Sequence, residues 1–105
     1  MTTEDVMDYL FKNRVDGLPH DALADVFDRL IWCKSDNGEA ICIVREKWLE
    51  GNSFGKCAVA LEMSETFPYE SISKMKSVFD SIKGKWPQLE RRCNEIVSVR
   101  IEQNV

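Results

Sequence analysis

AICIVREKWLEGNSFGKCAVALEM, residues 40–63, is the stretch on which the reading of the fold turns. Its opening, Ala40-Ile41-Cys42-Ile43-Val44, is an apolar run rich in β-branched side chains, the composition that favours a pleated surface. Further on, Cys57, Val59, Leu61 and Met63 alternate with Lys56, Ala58, Ala60 and Glu62, the period of two expected of a half-buried strand. Glu50-Gly51-Asn52-Ser53 between them has the composition of a turn. The pattern predicts a β-hairpin with strands over 40–49 and 54–63. Because its first five residues are apolar on both faces, the first strand is expected either to be covered twice or to leave an edge for a partner.

Outward from this hairpin the pattern changes period. On the N-terminal side, Val6, Met7, Leu10 and Phe11 recur at helical spacing after Thr2-x-x-Asp5, which predicts a first helix over about 3–14. Asp16-Gly17 breaks it, and Pro19 suits the first turn of a second helix with Leu23, Val26, Phe27, Leu30 and Ile31 on its core stripe. On the C-terminal side, Pro68 opens a third helix to about Gly84, with Ile72, Met75, Phe79 and Ile82 inward. The alternation of Val97, Val99 and Ile101 then predicts a third strand over 95–102. The resulting order is ααββαβ, an α+β fold in which a small antiparallel or mixed sheet of about three strands carries the packed helices.

The 105 residues, 44% hydrophobic and 30% charged, suit one domain over 1–105 with a core of its own. No apolar run reaches the roughly 18 residues of a membrane span, and Met1-Thr2-Thr3-Glu4-Asp5 is acidic where a secretory leader is basic, so a cytoplasmic protein is expected. Cys33, Cys42, Cys57 and Cys93 form no C-x-x-C pair, and His20 is the one histidine, so no zinc spacing can be written and no cofactor or metal is expected. No nucleophile-elbow, phosphate-loop or dinucleotide string occurs, and His20 beside Pro19 reads as a helix-start residue rather than a catalytic base. The expectation is a protein that is not an enzyme.

Charge is distributed unevenly. The first 50 residues hold 11 acids against 6 bases and the remaining 55 hold 7 against 8, within a net charge of -4. The basic segment 74–92 (Lys74, Lys76, Lys83, Lys85, Arg91, Arg92) suggests a nucleic-acid-associated regulator as an alternative, with Arg91 and Arg92 as an anion site. Its lysines, however, fall at the two edges of the apolar stripe, and the outermost row is Ser73, Ser77 and Ser81, which weighs against direct nucleic-acid binding. A self-associating adaptor, pairing through the run 40–44, is a further alternative and leaves room for a homodimer. Trp48 and Trp86 fall on inward positions and are expected in the core.

The sharpest pattern lies on the second helix. At the helical turn of about 100° per residue, Asp21, Asp25, Asp28 and Trp32 all fall within about 40° of the direction opposite Leu23. Three aspartates and a tryptophan opposite the core predict a protein-binding face: acids to steer a basic partner and an aromatic anchor of the kind enriched at interfaces. Asp5 and Asp8 extend the candidate face from the first helix. In size, acidity and absence of catalytic motifs the chain resembles bacterial immunity proteins and antitoxins as a class. That resemblance implies an inhibitor that covers a basic partner, such as a nuclease toxin, and keeps phosphates out by charge and bulk.

Overall fold

The computed structural model describes residues 2–33, 36 and 38–104; the side chains of Trp32 and Cys33 lie outside the described residues. Six α-helices follow in order: α1 (Thr3–Lys12), α2 (His20–Cys33), α3 (Glu39–Glu50), α4 (Phe54–Glu62), α5 (Ile72–Lys85) and α6 (Glu90–Gln103), with a 3-10 turn at Pro87–Leu89 before the last. Among the described residues there is no strand, so the α+β expectation is corrected: the chain is all-helical. The stretches read as strands over 40–49, 54–63 and 95–102 form α3, α4 and α6.

Each correction has a physical cause. In α3 the buried positions are Ile41, Val44, Arg45, Trp48 and Leu49, spaced i, i+3, i+4, i+7 and i+8. Arg45 interrupts that stripe as a sequence pattern, although only 1% of it is exposed, while Ile43 falls on the outer face at 54%. In α4 five consecutive residues, Cys57 to Leu61, are all buried. This helix packs against both α2 and α3, and a helix covered on more than one side has no polar face to reveal its period. In α6 the buried residues are Cys93, Ile96 and Arg100, whereas the alternating Val99 and Ile101 are exposed.

Local chemistry sets the helix starts. At α1, Asp5 N–H donates to Thr2 Oγ1 (3.1 Å) and Thr2 N–H donates to Asp5 Oδ2 (3.0 Å), a reciprocal capping box. Ser53 and Ser71 accept from the amides of Lys56 and Lys74 at the starts of α4 and α5. Before α3, Asp36 accepts from the amides of Gly38 (2.9 Å) and Ala40 (3.1 Å). Gly38 is left-handed (φ 79°), and a Cβ there would collide with Ile31, so glycine is required on two counts.

The chain falls into two compact units, Met1–Glu65 and Thr66–Val105. In the first, α1 packs along α3 and α2 along α4. Trp48 sits in its core, edge-on to Phe11 and Phe27 with ring centroids 5.7 Å away in each case, as expected for that tryptophan. In the second, α5 and α6 close over Met75, Phe79, Ile82, Cys93 and Ile96, and Trp86 is half-buried at the end of α5.

Candidate functional site

The buried face of α2 is Leu23, Ala24, Phe27, Asp28 and Ile31, rotated toward residues 24 and 28 relative to the apolar stripe of the sequence. α4 packs along α2, where Ala24 is fully buried, while Val26 is left 43% exposed. Asp21 and Asp25 remain outside, one turn apart on the open face. Asp25 pairs with Arg29 (3.1 Å), with both side chains largely in solvent, so the pair is weak and readily exchanged for another cation.

Asp28 has a different setting. It is 5% exposed, and its carboxylate accepts from the amides of Ser64 (3.0 Å) and Glu65 (3.4 Å), pinning the segment that follows α4. Burial pushes its carboxyl above the ordinary aspartate value, against the lowering effect of those two amides. Its acceptor capacity is directed inward, away from the row of Asp21 and Asp25. Trp32 lies on the last turn of α2, and its side chain is outside the described residues.

The two candidates on α1 have local partners. Asp5 closes the capping box, and the Thr2 amide and hydroxyl hold its carboxyl below the ordinary value. Asp8 is bridged to Lys56 of α4 (2.8 Å), each side chain being less than one-third exposed. The structure thus keeps Asp21 and Asp25 together on an open face and places Asp5, Asp8 and Asp28 in contacts that hold the first unit together.

Sequence patterns missed three contributors. Arg29 continues the i, i+4 row of Asp21 and Asp25, which was the one available signal for it, and Val26, three residues before Arg29, is exposed beside that row although the apolar pattern places it on the core stripe. Arg100 is 5% exposed and donates from its guanidinium to the carbonyls of Pro68 (2.8 Å), Tyr69 (3.1 Å) and Glu70 (2.8 Å). An arginine in the run Val97–Ile101 was the only hint of this clamp.

His20 is half-buried with its ring edge-on to Phe54 at 6.2 Å. Arg91 and Arg92 both pair with Glu95 (3.4 and 3.3 Å), whose one carboxylate is shared between the two guanidinium groups. Among the described residues no group of three or more His, Cys, Asp or Glu side chains could hold a metal ion, and no helix is long and apolar enough to cross a membrane. Burial pushes the Cys93 thiol up to about 11, so it is an unreactive core residue at neutral pH. Set against protein-family models, curated proteins and solved structures, the chain matches none of them.

Proposed function

We propose that this chain is a small acidic protein-binding domain, an inhibitor of the immunity-protein or antitoxin kind that covers a basic partner such as a nuclease toxin. The observation that carries the reading is the segregation of charge. The unit Met1–Glu65 holds 13 acidic and 7 basic residues, a net charge of -6, against +2 for Thr66–Val105. On its surface α2 presents Asp21 and Asp25 one turn apart, with the exposed Val26 about 100° round the helix from Asp25. Such a face attracts a positive surface over a Debye length of roughly 8 to 10 Å and offers it a desolvated spot on arrival. The weak Asp25–Arg29 pair marks where a partner's guanidinium would bind by exchange.

The test starts from affinity capture in a lysate of the source organism and proceeds to association kinetics with the purified retained protein. The expected partner is basic. Asp21→Asn with Asp25→Asn slows association several-fold at low salt and flattens its salt dependence, leaving dissociation less affected. A partner without positive charge, or rates and salt slope unchanged by the double substitution, overturns the reading.

A further inference from the structure

α5 is the element that concentrates positive charge: Lys74, Lys76, Lys83 and Lys85 against Asp80, a net +3 over 14 residues. The one carboxylate of the helix, Asp80, pairs with Lys83 (3.4 Å). Lys74 and Lys85 lie about 20° apart around the helix and about 16 Å apart along it, on one edge. At each end of that edge the lysine stands over an aromatic ring. Lys74 Nζ is 6.0 Å from the ring of Tyr69, just before the helix, and Lys85 Nζ is 5.3 Å from Trp86, just after it. Both lysines are exposed and both rings half-exposed.

The backbone that carries the first of these rings is held in place. Tyr69 has a left-handed backbone (φ 65°), costly for an aromatic residue, and Arg100 fixes it by donating to its carbonyl and to those on either side. Strain that the surrounding structure over-determines is characteristic of a residue placed for contact rather than for packing alone. A cationic edge ending in an aromatic at each side combines the two features that bind unpaired nucleotides: a charge track for phosphates and ring faces on which bases stack.

We infer that the α5 edge from Tyr69 to Trp86 is a docking surface for a short single-stranded nucleic acid, with phosphates at Lys74 and Lys85 and bases against the two rings. The occupant is set by charge complementarity together with the paired rings: an acidic protein segment would use the lysines but not the stacking faces, and a duplex would present no free base. This inference concerns the second unit only and stands independently of the inhibitor reading.

The experiment uses the full chain and a fluorescently labelled oligothymidylate, followed by anisotropy at rising salt. Saturable binding is expected, with log K falling against log salt at a slope of about -1.4 for two phosphate contacts on a single strand. Lys74→Gln with Lys85→Gln weakens binding about tenfold or more and flattens the slope, with helix content by circular dichroism unchanged because both sites are exposed. Trp86→Ala weakens binding about tenfold while leaving the slope alone. Absence of binding at low salt, or unchanged affinity in the lysine variant, overturns the inference. So does equal competition by a poly-aspartate peptide or by duplex DNA, since either shows an anion patch that does not use the rings.

Discussion

Arg100 shows how one side chain can determine a turn. Its planar fork reaches three successive carbonyls, from Pro68 to Glu70, that no helix or strand satisfies, and its Nη1 also donates toward Met75 Sδ (3.4 Å). Arg100→Ala removes the donors and leaves a cavity, so the second unit is expected to lose about 3 kcal/mol or more in urea unfolding. Arg100→Lys recovers only part of this, because an ammonium cannot reproduce the fork. Full stability in the alanine variant would show that the carbonyls find water instead. Asp28 is the corresponding residue of the first unit. Asp28→Ala is expected to cost about 1 kcal/mol at neutral pH, since the exposed Ser64 and Glu65 regain water at their amides. Because the folded carboxyl is raised above its unfolded value, its contribution is fully present below the unfolded value and is lost as pH rises through the folded one. The stability gap between wild type and Asp28→Ala therefore widens as pH is lowered from neutral to about pH 4. A gap that narrows over this range means the amide-to-carboxylate bonds outweigh the burial.

The elements differ in how openly their sequences declare them. α1, α2 and α5 were readable because each has one apolar stripe, a polar face and an explicit boundary: Thr2 with Asp5, the Asp16-Gly17 break, and Pro68 ahead of Ser71. α3, α4 and α6 were not readable as helices. β-branched residues in α3 and α6 lower helix propensity only slightly, and tertiary burial overrides that preference. The boundary at Gly38 was legible as a turn, but its reason was not, since the collision with Ile31 exists only once α2 and α3 meet. Gly38→Ala combines a left-handed backbone with that collision and is expected to destabilise by about 2 kcal/mol or more. In an Ile31→Ala background the contacts with Ile31 Cγ1 and Cγ2 are gone while the one with its Cβ (2.9 Å) remains, so the same substitution should cost less without falling to the backbone strain alone, which a double-mutant cycle in urea measures. An equal cost in both backgrounds means the clash is relieved by other means.

At the scale of the whole molecule, charge and burial follow different rules. Formal charge is additive along the chain, so the acidic N-terminal part and basic C-terminal part were legible from residue counts, as were the candidates Asp21 and Asp25. Which carboxylates face solvent was not legible. A helical wheel centres the buried face on the apolar residues, whereas the actual face of α2 is set by the helix that packs on it. α4 packs along α2, with Ala24 and Asp28 buried and Val26 left outside. By itself, then, the sequence determined the charge asymmetry, the caps and breaks, and the amphipathic helices, because these depend on neighbours within one or two turns. Tertiary structure alone decided that 40–63 is a helical pair, that Arg45, Asp28 and Arg100 are interior, and that Tyr69 and Trp86 flank one cationic edge. Those outcomes depend on which surfaces meet across long stretches of chain, and burial of apolar area is non-directional until the neighbouring helices supply its direction.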